Sequence, residues 1–351
     1  MKVTLKDIAL HLNMNESTVS YALNGKGSIK PETRELVQNT AMEMGYVPNQ
    51  SARQISTGKS NEVAIVVPNV LSIYGEFCEN AFHLISDLGM RSSISISEFS
   101  VEREEDIIKD LIGKRVAGIL IVSSLELDLE ERYSQIKLLL MKHDIPVIYR
   151  SETVEYSSVG MDFVSVGMMM GRRLSAVGKK NVCIASPHPP PFYQNITKTM
   201  EGLKAGLGEN STIRIEYLDD TERDQRTSSY EHIMRQILSP DWYNRHRKLF
   251  HKIMDSGVRT DAIVSPTDTC IMAIKHEAES CGFNIPRDIA LISGTRSIAS
   301  YLSHDDITSV YVPETRMAEI MVKQLIKSMK RPKEKLKSIL VKPDFFAGST
   351  I

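Results

Sequence analysis

Four cysteines in 351 residues, Cys78, Cys183, Cys270 and Cys281, stand far apart and form no CxxC pair. This excludes a disulfide-stapled scaffold and suits buried thiols in a reducing compartment. Aromatic residues make up only 6% of the chain, and Trp242 is the single tryptophan. No stretch reaches the ~18–20 apolar residues that a membrane helix needs. The first residues, Met1-Lys2-Val3-Thr4-Leu5-Lys6-Asp7, carry no apolar run of a secretory leader. A cytoplasmic protein without a membrane partner is expected. Neither charge sign dominates: 43 Lys and Arg face 44 Asp and Glu, a formal net charge of −1. Any surface for a polyanion must therefore be local. Catalytic signatures are also missing. There is no GxSxG or HExxH, and the nine histidines are scattered. His246 and His251 lie five apart and share no helix face, and Asp219-Asp220 reads as a solvated loop. No catalytic residue, metal site or cofactor is expected. "STGKS" at 56–60 is not a phosphate loop, because Arg53 stands where its first glycine belongs.

What is present is a globular composition, 42% hydrophobic and 25% charged, long enough for two or three domains. Residues up to about Ser60 read as helix. Thr4 with Asp7 suits a capping box ahead of Ile8, Ala9 and Leu12. Asn13 tolerates the left-handed turn, and Asn15 suits the N-cap of a second helix buried on Val19, Ala22 and Leu23. Pro31 opens a third helix through Leu36, Val37, Ala41 and Met44, and Gly45 ends it. The second helix turns Glu16, Ser17 and Tyr21 outward together. A small residue at the crossing, a left-handed turn residue and an apolar lock on the second helix are what a helix-turn-helix needs. In that unit the second helix lies in the major groove. The charge balance of this segment is weak support: seven Lys and Arg against five Asp and Glu. A three-helix protein-interaction module fits the same spacing.

From Glu62 the pattern alternates. Apolar β-rich runs ("EVAIVVPNV", "SSISISEF", "VAGILIVSS", "IPVIYRS", "NVCIASP", "IRIEYL", "DAIVSP", "IALISGT") are mostly separated by helical stretches of ~12–18 residues, which implies parallel strands with helical crossovers. Two such sets, with a break near Ser157 to Gly160, predict two similar lobes. The natural ligand site lies between them, outside the carboxyl ends of the strands. "SPDWYNRHRKLFHKIMDSG" from Ser239 predicts a surface helix with a basic patch of Arg245, Arg247 and Lys248, open to an oligomer or partner contact.

"TLKDIALHLNMNESTVSYALN", "ETRELVQNTAMEMGYVPNQSARQISTGKS", "VAGILIV", "VGMD" at 159–162 and "FNIPRDIALISG" at 283–294 resemble the LacI/GalR transcriptional regulators along essentially the whole chain. The resemblance implies an all-α helix-turn-helix head (1–48), joined by a hinge helix and linker (49–60) to an α/β core (61–351). That core would be two Rossmann-like lobes of the periplasmic-binding-protein kind, an N-lobe of about 61–158 plus 288–314 and a C-lobe of about 159–287 plus 315–351. It implies a homodimer, operator DNA as partner, and a small effector in the interlobe cleft. It assigns DNA contact to Thr4, Leu5, Asn15, Glu16, Ser17, Thr18, Ser20, Tyr21, Asn24, Asn49, Ala52, Arg53 and Ile55. Within this set, Thr4, Ser20, Asn24 and Asn49 match positions that touch phosphate or fix docking. Glu16, Ser17 and Tyr21 match base-reading positions, and Ile55 replaces the hinge leucine that wedges into the minor groove.

The chain departs from the family in two places. Tyr21 stands where arginine is usual. Arginine pairs bidentately with guanine, whereas tyrosine offers one hydroxyl and a ring suited to a thymine methyl; Glu16, acceptor-only, suits cytosine N4. An operator unlike the family consensus is expected. In the cleft, Thr199 replaces an arginine ahead of Gly202, Arg296 replaces an aspartate in "SGTRS", and Arg150 or Ser151 replaces another. Tyr74 and Asp268 keep pocket-region positions, and Tyr193 on "PHPPPFYQN" lies near. Two readings stay open. The gained arginines suit an anionic effector such as a sugar acid, a sugar phosphate or a phosphorylated protein partner, or they pair internally with Asp162, Asp268 or other lobe carboxylates and leave a neutral ligand or none. The expected function is a DNA-binding regulator, acting as a repressor. Its alternatives are a regulator answering to a protein partner, and a sugar-binding transport protein.

Overall fold

The computed structural model describes residues 3–25, 27–47, 60–71, 73–98, 100–122, 138–151, 157–186, 194–217, 241–331, 334 and 336–351. The chain divides into two compact units, Met1–Lys59 and Ser60–Ile351. The first holds α1 (Leu5–Leu12), α2 (Glu16–Leu23) and α3 (Pro31–Glu43). The Thr4–Asp7 capping box is formed in both directions, Asn13 is left-handed at φ 51°, and Pro31 sits in the first turn of α3. Ile8, Ala9, Val19, Ala22, Val37 and Ala41 make one small buried core. Asn15 holds the N-cap position of α2, but its side chain makes no capping bond.

The second unit starts with β1 (Glu62–Val67), α4 (Ile73–Asp87), β2 (Arg91–Ile96), α5 (Val101–Gly113), β3 (Gly118–Val122) and β4 (Val147–Arg150). These strands form a parallel sheet in the order β2-β1-β3-β4. After β5 (Val159–Met161) and α6 (Phe163–Ala176) come β6 (Asn181–Ser186), α7 (Gln194–Leu207), β7 (Thr212–Tyr217) and α8 (Asp241–Asp255). There follow β8 (Ala262–Ser265), α9 (Asp268–Ser280), β9 (Ala290–Ser293), α10 (Ile298–Leu302), β10 (Ser309–Tyr311), α11 (Glu314–Lys330), β11 (Ile339–Val341) and β12 (Asp344–Phe346). The second sheet runs β12-β10-β9-β8-β6-β7, with β12 antiparallel at its edge. Each sheet is covered on both faces. Phe77, Ile85, Met317 and Leu325 pack on one side of the first and Ile108 and Leu111 on the other. Met170 and Leu203 flank the second sheet opposite Phe250 and Ile274. Burial on both faces is why these strands are apolar without alternation.

The lobe boundaries differ from the sequence expectation. Residues 288–314 were assigned to the N-lobe, yet β9 and β10 lie in the second sheet. Residues 315–351 were assigned to the C-lobe, yet α11 packs Met317, Met321 and Leu325 into the first lobe's core. The cause is three chain crossings between lobes, after β4, after β10 and after α11. Short β5 and β11, paired in parallel from Val159–Ile339 to Met161–Val341, carry two of them. Three-residue strands have too little periodicity to be seen in sequence. Residues 49–59 of the expected hinge lie outside the described residues.

In the second lobe α6 and α7 cross backbone to backbone. A Cβ on Gly167 would stand 1.9 Å from the Thr199 carbonyl oxygen, and one on Gly202 would stand 1.9 Å from that of Val164. Gly171 and Gly206 continue the seam one turn on, each with backbone under 3.0 Å from an added Cβ.

Candidate nucleic-acid interface and interlobe site

The outward side of α2 is built from beneath. Val19 and Ala22 are fully buried, which fixes the rotation of the helix about its axis. Glu16, Ser17 and Tyr21 then emerge together, with Tyr21 51% exposed. Gly27, at φ +71°, lies under the Tyr21 ring, where an added Cβ would stand 3.4 Å from the ring carbon. The ring is therefore braced by the following loop while its hydroxyl edge stays free. Thr18 and Ser20 are half-buried at the margin of this face. Asn24 donates from Nδ2 to the Ser20 carbonyl at 2.8 Å, which ties the end of α2 down and leaves its Oδ1 as the outward atom. Thr4 is exposed, but its hydroxyl is engaged with Asp7 Oδ2 at 2.7 Å. Leu5 is half-buried and packs on the head core, a support for the face rather than a part of it. Asn49, Ala52, Arg53 and Ile55 lie outside the described residues.

The interlobe residues divide differently from the sequence expectation. Arg150, at the carboxyl end of β4, is 9% exposed and forms a bidentate pair with Glu314 at 2.6 and 2.8 Å. Its guanidinium is engaged by a lobe carboxylate, as the internal-pairing reading expects, and that carboxylate is Glu314. Glu314 is the first residue of α11, where the helix dipole favours a carboxylate. Asp162 instead caps α6, accepting from Ser165 N at 3.0 Å and Ser165 Oγ at 2.6 Å. Asp268 is 2% exposed and saturated. Its Oδ2 accepts from Ser297 N, Ser297 Oγ and Ser300 Oγ at 2.6–2.7 Å, and its Oδ1 from Thr269 N and Thr295 Oγ1. It holds the turn after β9 and the start of α10, and it has no lone pair directed to a ligand.

Arg296 behaves otherwise. Its guanidinium stacks 3.3 Å from the Phe346 ring centre and 4.6 Å from that of Tyr301, and its buried Nη1 has no hydrogen-bond partner among the described residues. The aromatic stacking replaces a carboxylate partner. Tyr74 and Thr199 are half-buried on α4 and α7, and Tyr193 lies outside the described residues. Sequence reasoning missed Glu76, on the same turn of α4 as Tyr74. Burial raises its carboxyl above the usual range, and repulsion from Glu314, Glu79 and Asp268 adds to this. His246 is buried and His251 exposed, so the two face different ways as expected, and His251 turns to Glu277 of α9 at 2.7 Å.

Residues 4–49 match the bacterial regulatory proteins of the lacI family, and residues 172–351, more than half the chain, match the periplasmic binding protein-like domain. Among curated proteins the chain is 25% identical to catabolite control protein A of Priestia megaterium over 338 residues, covering 94% of each. It is 23% identical to that of Staphylococcus xylosus, covering 94% of this chain and 93% of the other. Among solved structures it resembles the lac repressor dimer bound to operator and the anti-inducer ONPF, with TM-score 0.82 and 15% identity over 100% and 99% of the two chains. A CelR–cellobiose complex gives TM-score 0.64 at 21% identity over the whole of both chains.

Proposed function

Because the chain belongs to the lacI family of bacterial regulatory proteins, a DNA-binding transcriptional regulator by that membership, we propose that it is a repressor that binds a near-palindromic operator as a homodimer. The observation that carries this is the α2 face: Glu16, Ser17 and Tyr21 exposed over a locked core of Val19 and Ala22. Glu16 accepts from cytosine N4, Tyr21 meets a thymine methyl, and Ser17 reads either strand. Thr4, Asn15, Thr18, Ser20, Asn24 and Asn49 fix the docking on phosphate, and Ala52, Arg53 and Ile55 follow the minor groove. Two-fold symmetry of the protein is matched by symmetry of the half-sites. The regulator acts where the DNA is, in the cytoplasm, and needs neither cofactor nor catalysis.

The effector is a carbohydrate held between the lobes. The related lac repressor and CelR structures were solved with the anti-inducer ONPF and cellobiose respectively. Of the two arginines expected to favour an acid, Arg150 is paired with Glu314, and Arg296 has no carboxylate partner among the described residues. A neutral sugar therefore fits the described residues, and an acidic substituent has one donor instead of two. A ligand shifts the regulator only through unequal affinity for its two core states.

The deciding experiment is selection of bound DNA from a random pool by the full chain and by residues 60–351. The full chain should return one near-palindromic sequence, and the truncated core should return none. Recovery of the same sequence by the core, or of no sequence by the full chain, would overturn the reading. Thermal shift against neutral and acidic sugars settles the ligand class. If no sugar stabilises the core, control by a protein partner replaces control by a small effector.

A further inference from the structure

In the second lobe, α8 and α9 bring together three side chains of metal-binding type. A ring nitrogen of His251, a carboxylate oxygen of Glu277 and Cys281 Sγ all lie within 4.8 Å of one another. Glu277 and Cys281 are one helical turn apart at the end of α9, so both project from the same face. His251 reaches them from α8, whose opposite face is anchored by Leu249, Phe250 and Ile253. We propose that these three residues bind a zinc-class divalent cation.

The donor set selects the ion. Imidazole, carboxylate and thiolate together suit Zn²⁺ and Co²⁺; Mg²⁺ and Ca²⁺ take oxygen ligands. Zinc bonds of about 2.0–2.3 Å in a tetrahedron set neighbouring ligand atoms roughly 3.3–3.7 Å apart. The side chains reach this with movements of about an ångström, and the two that must adjust, His251 and Cys281, are both exposed. Glu277, 3% exposed, is the fixed member. Arg247 Nε is bonded to its Oε2 and Arg247 Nη2 donates to its Oε1 at 3.2 Å, a contact the ion must displace, and the guanidinium holds the carboxyl below the usual range. An outer partner of this sort orients a ligating carboxylate and keeps it ionised. His251 Nε2 is hydrogen-bonded to the accepting Glu277 Oε1 at 2.7 Å, and the ion takes the place of the Nε2 proton, which goes to solvent. Binding also releases the Cys281 thiol proton to solvent. Three protein ligands leave one coordination position for water.

The test is titration of the full chain with Co²⁺ in a reducing, metal-free buffer, followed by competition with Zn²⁺. Wild type should show a near-ultraviolet thiolate-to-cobalt band with visible bands of tetrahedral intensity, saturating at one ion per chain. Cys281→Ser should abolish the thiolate band, and His251→Ala should weaken Zn²⁺ binding at least about tenfold. Both changes are at exposed positions, so both variants remain folded, which circular dichroism verifies. Absence of the band in wild type, its persistence in Cys281→Ser, or unchanged Zn²⁺ affinity in His251→Ala would each overturn the site.

Discussion

Tyr21, Glu76 and Cys281 show how far single side chains can be read. Tyr21 is placed by packing beneath it and by Gly27 beside it, so changing its chemistry changes the readout and leaves the fold intact. Tyr21→Arg should move the selected base opposite it toward guanine, a gain of about 1–3 kcal/mol from bidentate pairing; DNA selection with the variant measures this. Glu76 is held above its ordinary pKa, first by burial and then by Glu314, Glu79 and Asp268. A carboxyl raised in the folded state destabilises it wherever the group is ionised. The penalty disappears as pH falls through the raised folded value. Glu76→Gln should therefore stabilise the protein at neutral pH, modestly because the group is partly solvated, and the gain should fade on acidification. Urea unfolding at pH 7.5 and at about pH 4 checks both halves. Among the thiols, burial pushes Cys78 up to about 11 and Cys183 and Cys270 up to about 12, and Cys281 is exposed. A thiol reagent at neutral pH should label one cysteine in the native protein and four after denaturation.

Helices and strands carry the next set of consequences. The box that starts α1 depresses Asp7 through hydrogen bonds from the Thr4 hydroxyl and then the Thr4 N–H. Its contribution is complete above the ordinary carboxylate range and is lost as pH falls through the lower folded value. Thr4→Ala should cost the head about 1 kcal/mol at neutral pH, read from its own melting transition. The α6–α7 seam is less forgiving. Gly202→Ala places a methyl 1.9 Å from a backbone carbonyl, where no rotamer change can relieve it. The two helices must separate, and the melting temperature of the core should fall by many degrees; an unchanged value would show that the crossing tolerates separation. The Arg150–Glu314 pair ties β4 to α11 within the first lobe, at the end of β4 and the start of α11. Removing one partner of such a buried pair costs about 3–5 kcal/mol, and replacing both with methionine is far milder.

The two compact units have separate hydrophobic cores, Ile8 to Ala41 in one and the four clusters about the two sheets in the other. Residues 60–351 should therefore fold and melt without the head, with circular dichroism unchanged in its α/β character. Within the second unit the lobes exchange elements: α11 follows strands of the second lobe but completes the core of the first. A cut between lobes in sequence order would strand that helix from its core, so neither half is expected to fold alone.

Periodicity and capping were enough to read the head and the eight long strands, because burial on one helix face or on both sheet faces imprints a local pattern. Asn13, Pro31 and the Thr4–Asp7 box could be read for the same reason: each acts within four residues of itself. The face of α2 was legible once Val19 and Ala22 were fixed as buried. Contacts between distant segments left no such imprint. The sequence placed Arg150 and Arg296 in one class, and the fold separated them, giving one to Glu314 and the other to Phe346 and Tyr301. Asp268 is expected to face a ligand, and its Oδ2 is instead taken by Ser297 and Ser300, which lie beyond β9. His251 meets Glu277 and Cys281 only because α8 packs on α9. Local pattern is set by the burial of neighbouring residues; partnership between distant side chains is set by how whole elements pack, and no spacing in the chain encodes it.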